Sequence, residues 1–125
     1  MREILADSSV MVDFLQGSLN TAEKDLLNNS LVSISILTYL EVSEFFYKTG
    51  KVKDLEFLKQ RLKSFETFPI TYEICDEAAK IHHSGKMSLA DAIILATARI
   101  HNLKVVTSDS DMKGMPEVIF LKAKK

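Results

Sequence analysis

The sequence predicts an α/β fold: a mostly parallel sheet with helices on both faces, in three α/β/α layers. Three observations carry this. Short aliphatic or β-branched runs alternate along the chain with longer segments of helical periodicity. No linker, repeat or break in composition divides the 125 residues, so 1–125 is expected to form one domain. The apolar fraction, 46%, is that of a globular protein, and Gly and Pro number only 4 and 2, which excludes disordered and low-complexity classes.

Each element follows in order. Glu3-Ile4-Leu5-Ala6 reads as a first strand, and the segment from Ser8 continues as a helix ending near Gly17. Residues 21–29 form a short amphipathic helix and 31–35 a second strand. Residues 37–50 are helical, with Gly50 as the stop. Residues 51–65 place Val52, Leu55, Leu58 and Leu62 at helical spacing between basic residues, which predicts one continuous helix. A Pro-limited strand at 66–70 leads to a helix over 71–85 with Thr71 as N-cap. A helix over 88–102, a strand at 104–107 and a last strand at 117–121 complete the alternation. Right-handed crossovers then limit the topology, and ligands are expected beyond the carboxyl ends of the strands.

Charge and cysteine content narrow the function. A net charge of -1 provides no global field for nucleic acid, so such a partner must be held by local patches or by bound metal. Cys75 is the sole cysteine, which excludes a disulfide framework or a thiolate zinc site and fits a reducing cytoplasm. Glu3, Asp7 and Asp13 interrupt the first residues too early for a signal peptide or a membrane span.

The acids at the strand ends are the informative residues. Asp7 closes the first strand, where it serves either as an N-cap or as a ligand. Asp109 and Asp111 follow Lys104-Val105-Val106-Thr107, where a polar turn is the alternative. Asp91 falls in a Ser88-x-x-Asp91 capping pattern, yet it is the only acid of a helix that is apolar nearly all round, and a lone acid there needs a partner. Glu41 sits early in the helix after the second strand, among Leu40, Val42, Phe45 and Phe46, with Glu44 three residues on as a substitute or an assistant. Like charges ~4 Å apart repel by ~4 kcal/mol at an effective dielectric near 20. Converging carboxylates therefore need protons or a cation, and an all-oxygen set selects Mg²⁺ or Mn²⁺. Such ions serve phosphodiester hydrolysis.

Together these stretches resemble the PIN-domain ribonucleases, in particular the VapC-type toxins of toxin–antitoxin pairs. "ILADSSVMVDFL" is similar to the family's opening strand with its Asp-x-Asn signature, "ILTYLEVSEFF" to its Thr-x-x-Glu helix, and "LADAIILATARIHNLKVVTSD" to the Asp-led buried helix that runs to a Thr-x-Asp strand end. The resemblance implies metal ligation and catalysis by Asp7, Glu41, Asp91 and Asp109, with Ser9, Thr107 and Asp111 in support. It also implies a PIN-like five-stranded parallel sheet of order 3-2-1-4-5, a homodimer, one or two Mg²⁺ or Mn²⁺ ions, an RNA substrate and an inhibitory VapB-type antitoxin. Two departures stand out: Ser9 where the family usually has Asn, and Met112 where an aromatic is usual. Ser offers one donor without the amide's reach.

Lys48, Lys51 and Lys53 belong to a basic stretch that either is a solvated helix face or contacts RNA phosphates. Phe45, Phe46, Tyr47 and Phe57 read as core or dimer contacts, and His82 and His83 as exposed residues at a helix end. The expected activity is that of a divalent-metal-dependent endoribonuclease. A catalytically silent PIN-like module that binds RNA or protein is the first alternative. A response-regulator-like phosphoacceptor is the second, and it fits the chain ends poorly apart from Lys122.

Overall fold

The computed structural model describes residues 1–50, 52–85 and 87–121. Five strands, β1 (Arg2–Ala6), β2 (Ser30–Ser35), β3 (Glu66–Phe68), β4 (Lys104–Thr107) and β5 (Val118–Phe120), form one sheet of order β3-β2-β1-β4-β5. Every neighbouring pair is parallel. The helices are α1 (Ser8–Gln16), α2 (Thr21–Asn28), α3 (Ile36–Lys48), α4 (Leu55–Lys63), α5 (Tyr72–His83) and α6 (Leu89–His101).

The side-chain alternation of the central strands separates two cores. Ile4 and Ala6 of β1 and Val106 of β4 face a cluster with Met11 of α1, Phe46 of α3 and Leu62 of α4. Leu5 and Val105, one residue out of phase, face the opposite cluster with Ile74 of α5 and Leu95 and Ala96 of α6. All are buried, which gives the three-layer arrangement. Truncating Phe46, 1% exposed, to Ala would cost about 3–5 kcal/mol. Met112, where an aromatic is usual, is fully buried in the second cluster, so its role is packing. Thr97, the lone polar residue between Ala92 and Ala98, is buried too and donates its hydroxyl back to the Ile93 carbonyl at 2.7 Å.

Local chemistry sets the ends of the elements. Thr71 and Ser88 cap α5 and α6 by accepting from the Ile74 and Asp91 amides at 3.2 and 3.1 Å. Gly17 ends α1 at φ 72°, a conformation that costs glycine nothing. α3 ends at Lys48, two residues before Gly50 at φ 77°. Two expectations are corrected. The segment expected to be a continuous helix over 51–65 instead begins with a 3-10 turn at Val52–Asp54 before α4 starts at Leu55. Asp54 makes no side-chain cap bond there, and tight 3-10 turns are common at uncapped helix starts. β3 stops at Phe68 rather than residue 70, because Pro69 has no N–H to extend the ladder.

Candidate active site

The β1–β4 register brings together residues about a hundred positions apart. Ala6 pairs with Val106, so the next residues, Asp7 just past β1 and Thr107 at the end of β4, lie side by side. The Asp7 amide donates to the Val106 carbonyl at 3.1 Å, continuing the ladder by one bond. Asp7 is 6% exposed, and its carboxylate accepts from three donors. Oδ1 takes the Val10 amide at 3.1 Å, as an N-cap, and the Ser9 hydroxyl at 2.8 Å; Oδ2 takes the Thr107 hydroxyl. The capping reading of Asp7 therefore holds, and it leaves the carboxylate fixed at the carboxyl edge of the sheet. Ser9, although shorter than Asn, does reach Asp7.

Thr107 also organises the turn after β4. Its Oγ1 accepts the Asp109 amide at 2.9 Å, and Asp109 Oδ1 in turn accepts the Asp111 amide at 2.9 Å. These bonds wind Ser110–Met112 into a 3-10 turn. The turn carries Asp109 and Asp111 to Asp91, which stands in the first turn of α6. Asp91, Asp109 and Asp111 each offer an oxygen within 4.8 Å of the others. That group contains Asp111, expected only in support, and it does not contain Asp7 or Glu41.

Asp7 and Glu41 nevertheless belong to the same electrostatic neighbourhood. Asp109 and Asp91 both repel Asp7, and Asp7 repels Glu41. Burial raises the pKa of Asp7, against the opposing effect of the hydrogen bonds from Thr107, Ser9 and Val10. Burial likewise raises that of Glu41, opposed by a hydrogen bond with Ser8. Asp91 is pushed up to about 7, first by burial, then by its hydrogen bond to Asp109 and the charge on that group. Asp91 thus holds its proton up to near neutral pH, as a carboxyl crowded by another acid does. Among the described residues, the ion pairs are Lys59–Glu56, Arg99–Glu77 and Arg99–Glu117, none of which involves these acids. The donor set is all carboxylate oxygen, closely spaced and without an ion-pair partner among the described residues, which fits a hard divalent ion.

Beside the acids runs an open groove of about 890 Å³ whose walls include Ser8, Ser9, Ser108, Leu40, Glu41 and Glu44. Glu41 is half-buried and Glu44 exposed. Lys48 and Lys53 are both exposed, and Lys51 lies outside the described residues, as does Lys122. Three cations of α4 rest on aromatic rings: Lys59 over Tyr47 at 5.9 Å, Lys63 over Tyr39 at 6.0 Å and Arg61 over Phe14 at 5.0 Å. Phe46 is core, whereas Tyr47 and Phe57 are exposed. His82 and His83 are exposed, and His82 Nδ1 lies 2.8 Å from the Met87 carbonyl.

Sequence reasoning passed over Ser8 and Ser108. Ser8 bonds Glu41, and the Ser108 hydroxyl donates to Ser9 Oγ at 3.0 Å. The only signal was position: each lies beside a strand-end acid, where serine also suits any turn.

Sheet order and acid edge define a class, and the family comparison agrees with it: the chain belongs to the PIN-domain family, whose profile matches residues 4–118. Among solved structures, a toxin–antitoxin complex from Klebsiella pneumoniae is similar with a TM-score of 0.79 and 28% identity, over 93% of this chain and 95% of that one. FitAcB from Neisseria gonorrhoeae has a TM-score of 0.72 at 25% identity, over 86% and 88%. VapC20 of Mycobacterium tuberculosis, a sarcin–ricin-loop-cleaving toxin, has a TM-score of 0.71 over 98% and 99%, and at 16% identity the likeness is one of fold. Comparison with curated protein sequences found no match. No helix among the described residues is long and apolar enough to cross a membrane.

Proposed function

We propose that this chain is a divalent-metal-dependent endoribonuclease, a single PIN-like domain acting as the toxin of a VapBC-type pair. The observation that carries the reading is the contact of Asp91 with Asp109, with Asp111 within 4.8 Å, in a site to which no described cation contributes. Asp7, Glu41, Asp91 and Asp109 are assigned as the metal-holding and catalytic acids, with Asp111 closing the group and Ser9 and Thr107 orienting Asp7.

Held by these acids, Mg²⁺ or Mn²⁺, as one or two ions, would supply Lewis-acid charge to the scissile phosphate and would lower the pKa of the attacking water. The protein does the rest. Asp7, held by three donors, keeps one geometry through the reaction. Asp91 would have to give up its proton for a cation to be held there. Glu41, which lines the groove, is assigned to take the proton that the attacking water would release. In-line attack leaves a 5′-phosphate and a free 3′-hydroxyl, with no part for the ribose 2′-hydroxyl. Exposed Lys48 and Lys53, with Lys51, are assigned to RNA phosphates.

The similar structures from Klebsiella pneumoniae and from Rickettsia felis are toxin–antitoxin complexes, which supports an antitoxin partner. A homodimer in the cytoplasm is carried over with the same reading. Incubation with a panel of structured RNAs tests the activity. Magnesium-dependent cuts with 5′-phosphate ends are expected, lost in Asp7→Ala and retained when the ribose at the cut is replaced by deoxyribose. An uncut panel would leave the chain a silent binding module, and 2′,3′-cyclic ends would exclude the mechanism.

A further inference from the structure

The hydrogen bonds to Asp7 extend further than its immediate donors. Adjacent serines at the start of α1 divide between two carboxylates: Ser8 bonds Glu41, and Ser9 gives its only proton to Asp7 Oδ1 at 2.8 Å. With that proton committed, the Ser9 oxygen can only accept, and the proton it accepts is that of the Ser108 hydroxyl at 3.0 Å. The other donors to Asp7 are a backbone amide and Thr107, which is fully buried. Ser9 and Ser108 are instead half-buried and line the groove. Oδ2 is thus set by a buried hydroxyl, and Oδ1 by a backbone amide together with the Ser9 hydroxyl, which Ser108 steadies from the groove. Hydrogen bonds in series polarise one another, so the Ser108 bond strengthens the Ser9 bond as well as aiming it.

We infer that Ser108 is a positioning residue, its hydroxyl acting through Ser9 to fix the Asp7 carboxylate for metal and substrate. The inference rests on the nuclease reading of the site. It gives the shorter side chain at position 9 a physical compensation: two hydroxyls from opposite ends of the chain provide a reach that one serine lacks.

The test uses Ser108→Ala, Ser108→Thr, Ser9→Ala and the Ser9→Ala/Ser108→Ala double variant of the full chain. Three quantities are read: the Val10 amide resonance, which reports on Asp7 Oδ1 without metal or substrate; Mn²⁺ affinity by calorimetry; and kcat and KM on RNA. Ser108→Ala is expected to shift the Val10 resonance and to weaken Mn²⁺ binding about tenfold, the scale of partners behind a ligand. It should lower kcat in proportion while KM stays within about twofold. Ser108→Thr, which keeps the hydroxyl, should match the parent. The double variant should equal Ser9→Ala alone, because the relay has one path. An unmoved Val10 resonance, or a Ser108→Ala effect of full size in the Ser9→Ala background, would overturn the relay. A parent that shows the coupling yet cuts no RNA would overturn the nuclease reading and leave the relay standing. A parent that binds no Mn²⁺ would overturn both.

Discussion

Thr107 donates its hydroxyl to Asp7 across a sequence separation of 100 residues, and both side chains are buried where β1 and β4 end. The same oxygen accepts the Asp109 amide, so one threonine aligns two acids of the edge. Thr107→Val keeps the shape and removes the hydroxyl. It should destabilise the protein by ~1–3 kcal/mol in urea unfolding, since the Asp7 oxygen and the Asp109 amide both lose a partner in a dry site. The Asp7 pKa should rise further, because a bond that favours its ionised form is gone. Equal stability of the two proteins would mean that water replaces the hydroxyl.

Asp91 gives a pH dependence of defined sign. Its folded pKa of about 7 lies above the ordinary 3.8, so the folded, metal-free chain holds that proton more tightly than the unfolded chain. The stabilisation is complete below about pH 4 and is lost as the pH rises through 7. Asp91→Asn keeps an amide that can donate to Asp109 at any pH. In chelator, its melting temperature should therefore exceed that of the parent by a few degrees at pH 8, with the gap closing toward pH 5. Metal affinity should run the other way, rising through pH 7 as the Asp91 proton leaves, and the variant should not cleave. A gap that stays constant between pH 5 and 8 would show that Asp91 does not titrate in this range.

Glu41 and Glu44 both line the groove; Glu41 is half-buried, bonds Ser8 and feels the charge on Asp7, whereas Glu44 is exposed. Glu41→Gln should lower kcat by ~100-fold or more, the range for loss of a positioned base. Glu44→Gln should stay within about threefold, as exposed charges interact weakly. Single-turnover cleavage of one RNA by both variants checks this, and equal losses would assign the groove a purely electrostatic role.

Much of the site was legible because its residues sit where periodicity changes. Asp7 and Asp109 each follow a β-branched or aliphatic run, and Asp91 opens an otherwise apolar helix, so their positions could be read from the chain alone, although of the three only Asp7 is buried. The sheet order and the meeting of Asp7 with Thr107 depend on register, which spacing does not encode; the resemblance gave the first and the structure the second. Asp111 joined Asp91 and Asp109 because a 3-10 turn follows β4, and three residues of turn leave no periodic trace. Ser8 and Ser108 were invisible for a different reason: a serine beside a strand end is ordinary, and only side-chain direction distinguishes a relay from a turn. The break before α4 was missed because Leu55, Leu58 and Leu62 keep helical spacing whether or not the turn before them is α.

The central claim is that the acids of this edge hold one cation in common. A crystal soaked in Mn²⁺ and measured at the manganese absorption edge tests it most directly. The account predicts an anomalous peak about 2.1–2.3 Å from carboxylate oxygens of both Asp91 and Asp109, with Asp7 facing the same ion directly or through one water. A saturating soak that leaves this edge without a peak, or places manganese against acids elsewhere on the surface, would contradict it.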